Sequence, residues 1–108
     1  MVLRYDAAGL IPAVIQDAGN GEVLMVGWMN SEALRLTRET GDVHFWSRSR
    51  RELWHKGGRS GRVLKVREIR VDCDADTLLI EVTPTGTVCH TGARSCFYRS
   101  LQQAEADG

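Results

Sequence analysis

Five consecutive residues, Asp72-Cys73-Asp74-Ala75-Asp76, hold the densest chemistry in the chain. In an extended segment side chains alternate between faces, so Asp72, Asp74 and Asp76 would project to one side and Cys73 to the other. Three carboxylates crowded together repel unless a divalent ion or protonation relieves them, and oxygen ligands with retained waters suit Mg²⁺. A solvated acidic turn has the same composition, and spacing alone leaves both readings open. Fifteen residues separate Cys73 from Cys89, and six separate Cys89 from Cys96. Three thiolates with one open position form a catalytic zinc sphere, because zinc is four-coordinate and a catalytic site keeps water in the fourth place. His90 could close a structural site instead. Adjacent residues in extended chain point apart, however, so it is better placed behind the ligands or as a general base. Three thiolates also overcompensate the charge of Zn²⁺ and weaken it as a Lewis acid, so such a site needs help from a base such as His90 or a second cation. The spacing matches no common zinc finger, and the paired motifs of the zinc deaminases are absent. Buried inert thiols are the plain alternative.

A second group lies upstream. Arg48, Arg50, Arg51, Lys56, Arg59 and Arg62 are interleaved with Ser47, Ser49 and Ser60, while Gly57, Gly58 and Gly61 let the backbone approach an anion. This composition suits phosphate groups on a small ligand, or else a solvated basic loop. Trp46 and Trp54 could stack on a base or belong to the core.

The whole chain narrows these readings. It has 108 residues, with 14 Lys+Arg balanced by 14 Asp+Glu. Zero net charge gives no general attraction to nucleic acid or anionic lipid, so any anion site must be local, and neither partner is expected. The longest apolar run, Val23 to Met29, is far short of the roughly 20 residues a membrane helix needs. The amino terminus carries no export signal, so the expected compartment is the cytoplasm, where the three cysteines stay reduced. A single domain over residues 1–108 is expected, with no linker. Surface scaling gives roughly 6,000 Å² exposed when folded against roughly 17,000 Å² unfolded. That is a modest core, and a partner subunit would help.

The elements that must position these residues can be traced in order. Ala13 to Gln16 and Glu22 to Met29, joined by Asp17-Ala18-Gly19-Asn20-Gly21, predict a β-hairpin. Asn30 or Ser31 caps a helix whose apolar stripe is Ala33, Leu34, Leu36 and Thr37 and which ends at Gly41. Val43 to Trp46 reads as a strand leading into the basic, glycine-rich loop region. From Arg62 to Val71 the alternation changes phase, and a bulge near Arg67 would restore one buried face. Leu78, Ile80 and Val82 share a face of the next strand. Phe97 to Leu101 would add a last short strand, followed by a frayed polar tail. The expected fold is mainly β (α+β): a barrel-like twisted mixed sheet of about five strands with one short helix, as a homodimer.

Taken together, the chain resembles the phosphoribosyl-AMP cyclohydrolases of histidine biosynthesis. The resemblance runs from Val23-Leu24-Met25-Val26 and Trp28-Met29-Asn30 to Cys96-Phe97. It rests on Ser47-Arg48-Ser49-Arg50, Trp54-His55-Lys56-Gly57 with Ser60-Gly61, Asp72-Cys73-Asp74-Ala75-Asp76, and Cys89-His90-Thr91-Gly92 with Ser95-Cys96-Phe97. It implies a zinc hydrolase that opens the purine ring of N1-(5-phosphoribosyl)-AMP between N1 and C6 and also requires magnesium. Asp72, Asp74 and Asp76 would bind Mg²⁺. Cys73, Cys89 and Cys96 would bind zinc across an intertwined homodimer, Cys73 coming from the opposite subunit. Ser47, Arg48, Ser49, Arg50, Trp54, Lys56 and Ser60 would contact substrate, with His90 as the catalytic base. Where the family usually has Lys-Gly-Glu-Thr-Ser-Gly, this chain has Lys56-Gly57-Gly58-Arg59-Ser60-Gly61, and Gly58 and Arg59 are left without a role. No fused pyrophosphohydrolase domain is expected. The competing reading is a zinc-stabilised module that binds nucleotides or RNA through the basic loop; a thiol redox protein is disfavoured because no Cys-x-x-Cys occurs.

Overall fold

The computed structural model describes residues 2–108. Its centre is the pairing of two apolar strands. In β1 (Ile11–Asp17) Ile11, Ala13 and Ile15 are buried and alternate with half-buried neighbours. The expected turn returns the chain antiparallel as β2 (Val23–Met29), with a register shift after Ile15. The next element is α1 (Ser31–Thr40), capped by Asn30, whose side chain accepts from the Ala33 amide at 2.8 Å, and ended by Gly41 at φ 76°. Its buried face, Ala33, Leu34 and Thr37, lies against the core.

A two-stranded ribbon follows, β3 (His44–Ser47) and β4 (Glu52–His55), in antiparallel register from His44 opposite His55 to Ser47 opposite Glu52. It sits tightly on β2. A Cβ on Gly27 would come within 2.5 Å of the buried Phe45 ring, so only glycine lets the two backbones approach this closely. The last strands are β5 (Leu64–Val71) and β6 (Leu78–Pro84). β6 pairs parallel with β1 and antiparallel with β5, giving a mixed sheet of order β2-β1-β6-β5. The expected bulge is present, since Arg67 is skipped between the Val66 and Glu68 pairings. It keeps Leu64, Val66 and Ile69 on the core, although Val71 is exposed.

Three expectations are corrected. The sheet does not close into a barrel, because β2 and β5 are its two edges, and among the described residues six strands form in two sheets instead of about five in one. The described residues form two helices, not one. Leu101–Asp107 forms α2 where a strand end and a frayed tail were expected, because Ser100 and Gln103 make a reciprocal capping box at its start. No residue of α2 is buried; its first residue, Leu101, is exposed, as are Phe97 and Tyr98 just before it. The accessible surface is 6852 Å², above the roughly 6,000 Å² a monomer of this mass scales to.

Candidate active site

The acidic residues lie between β5 and β6, and the structure curls them into a turn instead of an extended strip. Asp72 Oδ1 accepts from the amides of Asp76 (3.0 Å) and Thr77 (3.3 Å), and the Ala75 amide donates to the Asp72 carbonyl. These bonds make a turn preferable to extended chain, and Ala75 takes a left-handed φ of 62° with its methyl buried. The aspartates still converge: carboxylate oxygens of Asp72, Asp74 and Asp76 all lie within 4.8 Å of one another, exposed to solvent. Alternation does not segregate Cys73, whose Sγ is 3.7 Å from Asp74 Oδ1. Desolvation raises the Asp72 carboxyl, but hydrogen bonds from Asp76 and Thr77 outweigh it and leave it below the usual range. Its hydrogen bond with Asp72, then desolvation and the Asp72 charge, raise Asp76. Mutual repulsion of this kind is what a hard divalent cation relieves, and the donor set fits Mg²⁺.

The thiols belong to the irregular segment after β6. Cys89 is buried and Cys96 exposed, yet the two thiols are near enough to shift one another's titration. The loop between them is folded back by bonds from the Val88 amide to the Arg94 carbonyl and from the Cys89 amide to the Ala93 carbonyl. It is anchored to β2 by the Cys96 amide on the Leu24 carbonyl (2.7 Å) and by buried Ser95, whose Oγ donates to the Val23 carbonyl (2.8 Å). Arg94 adds ion pairs to Asp17 and Glu22 at the hairpin turn. The Thr91 hydroxyl donates to Cys89 Sγ at 3.1 Å; with the Thr91 amide it holds that thiol below its ordinary range against burial, aided by Cys96 and the Lys56 ammonium. Burial, then the Cys89 thiol, pushes Cys96 up. One thiolate-favouring sulfur beside a second is half of a soft-metal sphere and fits zinc. Cys73 does not complete it within the chain, since the aspartates are the only group of three or more candidate ligands brought together among the described residues.

The basic segment resolves into two parts instead of one loop. Arg48–Arg51 is the tight turn of the β3–β4 ribbon, with the Ser47 carbonyl accepting from Arg51, and Trp54 lies in β4. Lys56–Arg62 is a separate glycine loop in which Ser60 Oγ accepts from the Arg62 amide. Trp54 is a wall shared by two clefts. One, about 520 Å³, is lined by Trp28, Trp46, Ser47, Arg48, Ser49 and Trp54. The other, about 640 Å³, brings Arg50, Trp54, Lys56, Ser60, Cys89 and His90 together. Arg48 lies over Trp28 at 4.5 Å, Arg50 and Lys56 lie over Trp54 at 5.7 and 5.3 Å, and Lys56 Nζ donates to the Val88 carbonyl at 2.7 Å. His90 is exposed on the rim beside Cys89. Neither cleft includes the acidic turn or Cys73.

Sequence reasoning assigned no role to Thr91, Arg94, Ser95 and Trp28, although Trp28, Thr91 and Ser95 lie in the motifs that carry the resemblance. Thr91, two residues from Cys89, had a local signal as a hydroxyl donor. Arg94 had none, because its partners are 77 and 72 residues away in the chain.

A cationic cleft ending in a thiolate-favouring cysteine and a histidine, with a metal-competent acidic turn on the same domain, is the equipment of a small-molecule hydrolase. The profile of the phosphoribosyl-AMP cyclohydrolase family matches residues 25–98, spanning every one of these groups. The chain is 58% identical over 102 residues to a phosphoribosyl-AMP cyclohydrolase of Nitrosospira multiformis, covering 94% of this chain and 78% of the relative. A phosphoribosyl-AMP cyclohydrolase of Ruegeria pomeroyi is 55% identical over 103 residues, covering 95% and 87%. A histidine biosynthesis bifunctional protein HisIE of Parasynechococcus marenigrum is 54% identical over 107 residues, which are 98% of this chain and 48% of that relative. The chain belongs to the phosphoribosyl-AMP cyclohydrolase family. No helix among the described residues is long and apolar enough to cross a membrane.

Proposed function

We propose that the chain hydrolyses the N1–C6 bond of the purine ring in N1-(5-phosphoribosyl)-AMP, an early step of histidine biosynthesis, and that it does so in the cytoplasm as a zinc- and magnesium-dependent homodimer. The observation that carries this reading is the convergence of Arg50, Trp54, Lys56, Cys89 and His90 on one cleft inside the family-matched span.

Cys89 and Cys96 would hold zinc with the partner subunit's Cys73, and Asp72, Asp74 and Asp76 would hold Mg²⁺. When bound, zinc supplies the Lewis acidity that makes water a nucleophile at neutral pH, and magnesium supplies positive charge beside phosphate or purine. Ribosylation at N1 makes C6 electrophilic. His90 takes one proton of the water that attacks C6 and returns it to N1 as the C6–N1 bond breaks, while the second proton leaves the C6 hydroxyl for the exocyclic nitrogen of a neutral substrate or for solvent from a cationic one, so the former C6 becomes a carboxamide and N1 part of a formamidine. Ser47, Arg48, Ser49 and Arg50 at the ribbon turn, with Lys56 and Ser60, hold phosphate, and Trp54 gives the purine an apolar wall. Exposed Phe97, Tyr98 and Leu101, and the exposed Cys73 thiol, are groups that a second copy would cover.

The test is product formation followed by absorbance with metal-replete protein, after chelation, and after adding back Zn²⁺ with and without Mg²⁺. Turnover that needs both ions is expected. A folded, zinc-loaded dimer with no turnover would overturn the reading and bring forward nucleotide binding without catalysis.

A further inference from the structure

Gly58 and Arg59, the two residues left without a role, sit on the rim of the larger cleft. Four permanent cations line that cleft, Arg50, Lys56, Arg59 and Arg62, against one carboxylate, Glu52. Three of the four are already engaged. Arg50 bonds Ser47 Oγ, pairs with Glu52 at 3.6 Å and lies over Trp54. Lys56 is held by the Val88 carbonyl, and Arg62 donates to Thr87 Oγ1 at 2.9 Å. Arg59 alone makes no hydrogen bond, ion pair or ring contact among the described residues.

The loop that carries it is nevertheless fixed. Gly57 has φ 77°, and a Cβ there would fall 2.0 Å from the Arg62 carbonyl oxygen, so the turn closes only with glycine. Gly58 gives its amide to the His55 carbonyl, Gly61 gives its amide to the Gly57 carbonyl, and the Thr85 hydroxyl bonds the Gly61 carbonyl. A Cβ on Gly58 would meet the His55 ring at 2.7 Å, which seats this backbone directly on His55. His55 is itself stacked on His44 at 4.5 Å and bonded to Asp42. A free guanidinium on a preset backbone loses only side-chain freedom when an anion arrives. Its planar fork matches a phosphate dianion, and the excess positive charge of the cleft acts in the same sense.

We infer that Arg59 forms a phosphate subsite at the outer rim of the cleft, which takes a phosphomonoester of the nucleotide whose purine end faces Cys89 and His90. This rests on the proposed reaction for its substrate, though not for its ligand chemistry. The experiment is steady-state turnover of N1-(5-phosphoribosyl)-AMP by metal-replete wild type, Arg59→Ala and Arg59→Lys, with calorimetric titration of ribose 5-phosphate, AMP and adenosine into each. Arg59→Ala raises KM roughly tenfold, with kcat changed less than about twofold. It weakens ribose 5-phosphate or AMP by a similar factor and leaves adenosine unaffected, Arg59→Lys recovers most of the loss, and the difference shrinks at high salt. Unchanged KM together with unchanged affinity for both phosphates would overturn the subsite while leaving the reaction in place. Wild-type protein that binds ribose 5-phosphate through Arg59 but opens no purine would overturn the reaction and leave the subsite standing.

Discussion

The acidic turn and the thiol loop are both candidate metal centres, and they are built in opposite ways. The turn is mostly local: its five residues fold on hydrogen bonds among themselves and with Thr77, joined by one bond from the distant Arg4 amide to the Ala75 carbonyl, and its three carboxylates lie in solvent although Ala75 is buried. The loop is assembled from afar, with Cys96 tied to Leu24, Arg94 to Asp17 and Glu22, and Lys56 to Val88. A local site keeps its shape when its surroundings change, whereas an assembled one takes its geometry from the sheet beneath it. The chemistry divides accordingly. Hard oxygen ligands for a hydrated cation tolerate the exposed turn, while a thiolate that must stay available for a soft metal needs the shaped environment around Cys89.

The largest effects should fall on the assembled side. His90→Ala is expected to lower turnover by roughly 100 to 10,000-fold with zinc content intact, measured as kcat beside metal analysis of the same sample. A loss below tenfold with full zinc would remove His90 as the proton carrier. On the local side, Asp74→Asn should cost roughly 10 to 100-fold at limiting magnesium and recover as the ion is raised, because two carboxylates and the turn's own bonds remain. Its zinc content should not move. If it does, Cys73, whose Sγ lies 3.7 Å from Asp74 Oδ1, couples the proposed centres, and a double-mutant cycle with a thiol-loop variant will be non-additive.

The same contrast explains what could be read from the chain. The acidic triad was legible as a cluster because its members are neighbours in sequence, although they converge through a turn and not through the alternation expected; the Arg67 bulge was legible from its two-residue period. The β1–β2 hairpin, the Asn30-capped helix and the Leu78, Ile80 and Val82 face were legible for the same reason. The parallel β1–β6 pairing joins strands 65 residues apart by the Ala13–Leu78 register, and no local pattern announces it. Without it the sheet order, its open edges and the Arg94 clamp could not be foreseen. The carboxyl-terminal helix was missed for a different reason: Ser100 and Gln103 carry the capping signal, but the apolar Phe97-Tyr98 pair before them reads as a strand.

Within the assembled site the Thr91 hydroxyl isolates one hydrogen bond. Thr91→Val keeps the shape of the side chain and removes the donor to Cys89 Sγ. Zinc affinity, measured by competition with a chromophoric chelator, should fall roughly tenfold, while the magnesium dependence of turnover stays where it was. An unchanged zinc affinity would mean that the loop's backbone bonds alone set the geometry of the sulfur.

The smallest effect concerns a carboxylate that belongs to neither centre. Asp42 accepts from Lys65 at 2.8 Å and from His55 at 3.2 Å, tying the start of the ribbon to β5. The hydrogen bond from Lys65 holds its carboxyl below the ordinary range, its partial burial opposes this, and the charges of Lys65 and His55 assist. A carboxyl depressed in the folded state contributes stability that is present above the unfolded value, near 4, and is lost as pH falls through the lower folded value. Because Lys65 is largely exposed, the contribution is at most about 1 kcal/mol. In the acidic turn Asp72 is depressed but Asp76 is raised, so their contributions to stability have opposite signs. Metal-free Asp42→Asn should therefore unfold at slightly lower denaturant near neutral pH and lose less stability than wild type between pH 5 and 3, about the range where carboxylates titrate. Equal loss in both proteins would place the acid sensitivity of the fold in the turn after all.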